Sequence, residues 1–263
     1  MESRNPVFAR AEAMSGAGRT AAVGVDAAAI DQLEQAYAAP AAGPLETQRM
    51  TYNDVIVKTG MTFAVLLVGA GIGWFNPAIA MVGFIVGLVL GLVNAFKKEP
   101  SPALILAYAA FIGVGLGGIS FLFQSQWQGI VQQAILGTFS VFAVALFAYR
   151  SGRIRVTPKF QRMVLIGMMG YLAFSLLNVL FMVFGSGDAA WGLRSGWLGI
   201  AAGLIGVALA AFSLVLDFDF IDKGVKNGIP EKYAWTAAFG LVVTLVWLYL
   251  ELLRLIAIFS GNE

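Results

Sequence analysis

The chain has no cysteine and no histidine among its 263 residues. The first absence excludes disulfides, thiolate metal sites and thiol redox switches; the second removes the side chain that ordinarily titrates near neutrality and the commonest transition-metal ligand. Any response to protons must therefore use carboxylates. Charge is scarce as well: 12% of residues are Asp, Glu, Lys or Arg, and the net charge is +2. That is too little, and too scattered over short segments, for a nucleic-acid partner. A period-two alternation of apolar and polar residues is also missing, which excludes a transmembrane barrel.

What remains is apolar. Hydrophobic residues make up 59% of the chain and the mean hydropathy is +0.80, far above a soluble domain of ordinary composition. Runs of about 20 apolar residues, each long enough to cross a hydrocarbon core of roughly 30 Å, fall near 55–75, 78–96, 102–124, 128–149, 162–185, 196–220 and 233–259. A backbone in lipid must satisfy its own hydrogen bonds, so these runs predict seven transmembrane helices. Asn76-Pro77 separates the first two so narrowly that they are expected to form a tight hairpin.

Residues 1–50 differ in kind, being rich in Ala and Gly with scattered charges and lacking the pattern of a signal peptide. They read as a disordered cytoplasmic tail, with room for one short helix over 25–38, ahead of a membrane domain at 51–263. Lys97 and Lys98, then Arg150, Arg153, Arg155, Lys159 and Arg162, then Lys223, Lys226 and Lys232 occupy alternate loops, and Arg194 is the one basic residue of the others. By the positive-inside rule the N-terminus and the basic loops are cytoplasmic and Ser260–Glu263 lies outside.

Glycine motifs offer little chemistry. Gly83, Gly87 and Gly91, and likewise Gly199 and Gly203, recur at four-residue spacing and read as helix-packing faces. The run Gly113-Val114-Gly115-Leu116-Gly117-Gly118 satisfies a dinucleotide-binding pattern in letters, but no strand precedes it. Gly185-Ser186-Gly187-Asp188 resembles the GxGD of intramembrane aspartyl proteases, but a polar outer turn is the better reading. With no Cys or His nucleophile-base arrangement available, the chain is not expected to be an enzyme and needs no cofactor.

The acids are more informative. Leu216-Asp217-Phe218-Asp219-Phe220-Ile221-Asp222 closes the sixth apolar run, and Glu251 sits inside the seventh. Intramembrane acids cost roughly 2.5–3.5 kcal/mol on insertion scales and by default mark a pathway or an ion site. Asp217 and Asp219 lie about 200° apart on a helix, so at most one faces the bundle axis. Asp219 and Asp222 share a face with Lys223 and read as a helix end reaching water; Asp217 is the deeper group. Glu251 has an alternative, since Arg254 follows at i+3 and an intrahelical ion pair would make both structural. Tyr108, Ser120, Gln132, Gln133, Asn178 and Tyr249 either line a wet interior or bond to neighbouring helices.

Seven helices, the Asp217-Phe218-Asp219-Phe220-Ile221 ending of the sixth and the Leu248-Tyr249-Leu250-Glu251 motif of the seventh resemble the Bax inhibitor (transmembrane Bax inhibitor motif) family, in particular its bacterial branch, over roughly residues 50–260. The resemblance implies six helices around a central seventh in a bacterial plasma membrane. It also implies an acid pair, Asp217 with Glu251, that shares a proton and gates a pH-sensitive Ca²⁺ leak. Lys98, with Lys97, matches a basic loop that can pair with the helix-six acid on opening; Asp219 and Arg254 are secondary candidates. Two touching carboxylates would titrate as a unit and, ionised, offer hard oxygen ligands to Ca²⁺. Other proteins that the chain resembles regulate membrane proteases by contact, which is the alternative function. The pairing carries a geometric condition. From Tyr233, Glu251 lies about 27 Å along its helix, so contact requires that helix to protrude into the cytoplasm or an extra turn near Lys223–Asn227.

Overall fold

The computed structural model describes residues 48–184 and 192–261. The short helix expected over 25–38, the turn at 185–188 and most of the expected N-terminal tail lie outside the described residues. Seven helices long and apolar enough to span a membrane carry the described chain: α1 (Tyr52–Phe75), α2 (Ala80–Phe96), α3 (Pro102–Gln126), α4 (Ile130–Arg150), α5 (Pro158–Phe184), α6 (Gly196–Lys226) and α7 (Ala234–Ser260). Short 3₁₀ turns at Pro77–Ile79, Gly192–Arg194 and Glu231–Tyr233 precede α2, α6 and α7.

The last three residues of the expected tail are structured. Met50 N–H donates to the Ile229 carbonyl and Glu231 N–H to the Gln48 carbonyl, both at 2.8 Å, and the Met50 side chain is buried. Thr51 then starts α1 with a capping box: its hydroxyl accepts from Asp54 N–H at 3.2 Å and its own N–H donates to the Asp54 carboxylate at 2.8 Å. Lys58 of α1 pairs with Glu231 at 2.7 Å. The entry to α1 is thus tied to the loop between α6 and α7.

The expected hairpin of the first two helices is corrected. They are joined by a tight connection, but both pack on α3 rather than on each other. The reason is the glycine run of α3. A Cβ at Gly113 would strike the backbone of Leu66 and one at Gly117 the backbone of Ala70, both on α1, while Gly115 and Gly118 receive Phe84 and Ala80 of α2. The run is a two-sided packing face; Gly83 of α2 meets it at Gly115, and Gly87 packs on Ile112 just before it, so both serve as the close-packing residues expected of them.

The seventh helix is central. It packs directly against α1, α3, α4 and α6, while α2 reaches it through α3 and α5 packs on α6. Outward surfaces carry large exposed apolar side chains such as Phe75, Phe96, Phe184 and Trp197, as a lipid-facing bundle requires. The sixth apolar run ends near 220, and the helix continues to Lys226 as the polar end expected of Asp219, Asp222 and Lys223, with Asp219–Lys223 and Asp222–Lys226 forming i,i+4 ion pairs at 2.6 Å.

Candidate functional site

The extra turn of α6 that acid pairing called for is present, yet Asp217 and Glu251 do not meet. On α7 the position facing Asp217 is Thr244, whose hydroxyl donates to the Asp217 carboxylate at 2.7 Å. Glu251 lies seven residues further along the same helix, about 10 Å away at 1.5 Å per residue. The shared-proton dyad between helices six and seven is therefore corrected to two separate acidic sites, one towards each end of α7.

The first site is built around Asp217. Thr244 has one hydroxyl proton but two acceptors in reach, the Asp217 carboxylate and the Gly240 carbonyl at 3.0 Å. An ionised Asp217 competes with the carbonyl for that proton; a protonated Asp217 instead donates to Thr244, which keeps its bond to Gly240, and every group is satisfied. Gly240 also leaves space beside the carboxylate, where a Cβ would stand 3.3 Å from Oδ1. That space belongs to a cavity of about 450 Å³ shared by Asp217, Thr236 and Gly240 with Asn94, Lys97 and Lys98. Asn94 fixes the α2–α3 corner by donating to the Leu90 and Leu104 carbonyls at 2.9 and 3.1 Å. Lys97 and Lys98 are exposed and make no ion pair among the described residues. Beside them Glu99 pairs with Lys232 at 2.9 Å, and that ammonium holds the Glu99 carboxyl below the usual carboxylate range.

The other acids of α6 stay at its end. Asp219 is held by Lys223, and Asp222 accepts from Tyr52 of α1 at 2.7 Å as well as from Lys226. Asp222 thus staples α6 to α1.

The second site surrounds Glu251, which is 3% exposed. Arg254 pairs with its Oε2, the intrahelical alternative weighed for this acid, and Trp247 Nε1–H donates to Oε1 at 3.2 Å. Arg194 arrives from the α5–α6 connection with Nη1 3.8 Å from Oε1, Nη2 donating to Ser175, and its guanidinium 4.8 Å from the Tyr171 ring centroid. Arg254 also donates to the Tyr171 hydroxyl at 3.0 Å. Sequence reasoning used Arg194 for topology alone; its place as the one basic residue of the loops without a basic cluster was the available signal.

Of the remaining polar candidates, Ser120 and Tyr249 hydrogen-bond each other across α3 and α7 at 2.6 Å. Asn178 accepts from Leu193 N–H at 2.7 Å, and Tyr108 packs edge-on against Phe239. Gln132 and Gln133 are exposed in the first turn of α4 and line no interior. Among the described residues no three acids gather as a metal-binding group.

A family model described as Bax inhibitor 1 like matches residues 5–261. The chain belongs to the Bax inhibitor 1 like family. The match takes in most of the N-terminal fifty residues, which the resemblance on helices six and seven had left out. No curated protein matches the chain. In this Bax inhibitor-like membrane protein, then, the acid ending the sixth apolar run opens on a cavity and the acid of the seventh is enclosed by arginines.

Proposed function

We propose that this Bax inhibitor-like protein is a proton-regulated cation leak channel of the bacterial plasma membrane, with Ca²⁺ as the ion and without enzymatic activity. The observation that carries the reading is the Asp217 carboxyl, bonded across to α7 through Thr244 and open to the cavity that reaches Lys98. Protonated, Asp217 is neutral and latches α6 to α7 through the chain Asp217–Thr244–Gly240. Ionised, it can no longer donate to Thr244, so the link through to Gly240 is broken even where Thr244 still donates to the carboxylate; it then presents a hard oxygen to a cation and can turn to the Lys98 ammonium across the cavity. One carboxylate falls far short of the six to eight oxygens Ca²⁺ prefers, so water and carbonyls complete the shell and the ion is held weakly, as conduction requires.

The sign follows from this scheme. Ionisation opens, so flux rises as pH rises. The test is Ca²⁺ flux into liposomes containing the purified protein across roughly pH 6–8, for wild type and Asp217→Asn. The substitution is expected to flatten the pH dependence at the low-flux level. Flux absent from folded wild-type protein, or unchanged pH dependence in Asp217→Asn, would overturn the reading and favour a protein that acts by contact with other membrane proteins.

A further inference from the structure

The Glu251 site holds more positive than negative charge. Two guanidiniums, Arg194 and Arg254, face one carboxylate, and among the described residues no other acid makes a hydrogen bond or ion pair with either. Their remaining hydrogen-bond partners, Ser175 and Tyr171, are neutral. The Arg194 side chain is 9% exposed and that of Arg254 14%. The Nε–H groups of both are buried and have no hydrogen-bond partner among the described residues. A guanidinium offers five donors in a rigid fork, and an uncompensated charge in a low-dielectric interior is among the costliest arrangements a membrane protein can hold. The excess is one unit, and the two unused donors lie on the arginines that create it.

We infer that Arg194 and Arg254 form a binding site for a small monovalent anion, of which chloride is the simplest, at the end of the bundle opposite the Asp217 cavity. One negative charge makes the cluster neutral and gives a free Nε–H group an acceptor. Packing is close: a Cβ at Gly206 would lie 2.8 Å from Glu251 Oε2, and the Tyr171 and Phe174 rings stand 4.8 and 5.3 Å from the Arg194 guanidinium. Packing of that closeness favours a halide over a phosphate or an organic acid. The site rests on different residues from Asp217, so the channel reading and the anion site stand or fall separately.

The experiment is thermal unfolding of the purified full chain in detergent at constant ionic strength, with chloride replaced stepwise by gluconate, which is too large for the site. A ligand that binds the folded state stabilises it by mass action, so each tenfold rise in chloride above its Kd should raise Tm by about 3–5 °C. Glu251→Gln raises the excess to two positive charges and should shift this dependence to at least tenfold lower chloride. Arg194→Gln removes the excess and should abolish it. Equal Tm in chloride and gluconate for wild type overturns the inference, and so does a chloride midpoint that Glu251→Gln leaves unmoved. Those two comparisons decide the matter even if Arg194→Gln does not fold. Saturable quenching of tryptophan fluorescence by bromide is the second readout, since the Trp247 indole is bonded to Glu251; purely linear quenching would again count against the site.

Discussion

Replacing Glu251 by Gln separates two accounts of the buried acid. If Glu251 were half of a proton-sharing gate, the substitution would change the pH dependence of transport and leave the fold much as it was. In the structure it does the reverse. Glu251 is the one described carboxylate between Arg194 and Arg254, so neutralising it leaves two buried guanidiniums without a counter-charge. Breaking a buried ion pair from one side costs about 3–5 kcal/mol, a large fraction of the roughly 5–15 kcal/mol by which folded proteins are stable. Denaturant titration of the detergent-solubilised protein measures the loss, best performed in gluconate so that no halide fills in for the missing charge. The double variant Glu251→Gln/Arg254→Gln strands one guanidinium instead of two and should be more stable than Glu251→Gln alone, the signature of coupling within one ion-pair network. Whatever Glu251→Gln protein folds should keep the wild-type pH dependence of flux. A cost below about 1 kcal/mol together with an altered pH profile would refute the assignment and restore Glu251 to the gate.

Two further outcomes test the frame. Gly117→Val should weaken the bundle by about 1–3 kcal/mol or more in the same titration, because the new Cβ meets α1 backbone at Ala70, which cannot move aside without parting α1 from α3; Gly71→Ala, where the added methyl meets nothing within 4 Å, should be tolerated. Thr51→Ala removes the hydroxyl that accepts from Asp54 N–H at 3.2 Å and should cost about 0.5–2 kcal/mol, read as faster amide exchange in the first turn of α1.

The spans were legible because a bilayer imposes a length and an apolar composition on every segment that crosses it, and those are local properties of sequence. Where a helix ends in water the rule lapses. The sixth apolar run ends near 220 because charge begins there, but Asp219, Asp222, Lys223 and Lys226 are spaced to stabilise a helix in water, and the helix runs on to Lys226. Packing order was half legible. The spacing of Gly83 and Gly87 signals a close helix contact without saying with which helix, and the short Asn76-Pro77 separator pointed separately to a hairpin of the first two helices. The answer lay in the run Gly113–Gly118, whose density of small residues lets α3 accept a neighbour on each side.

The site was legible as far as composition goes and no further. An acid in an apolar run announces that something must compensate it, and both Asp217 and Glu251 were found on that ground. The compensating group is a fact of three dimensions. For Asp217 it is a hydroxyl on another helix, which leaves the carboxyl open to the cavity. For Glu251 it is a guanidinium one turn away and a second from a loop some 57 residues earlier, so that among the described residues two cations face one acid. A cation drawn towards Asp217 is repelled at Glu251, so the two acids cannot serve as successive steps of one cation path while Arg194 stays in place. On the proposed channel reading, a conducting state that runs the length of α7 must therefore withdraw Arg194 from the bundle or pass around it, and substitutions at Arg194 should alter flux even though it lies at the end of the bundle opposite the Asp217 cavity.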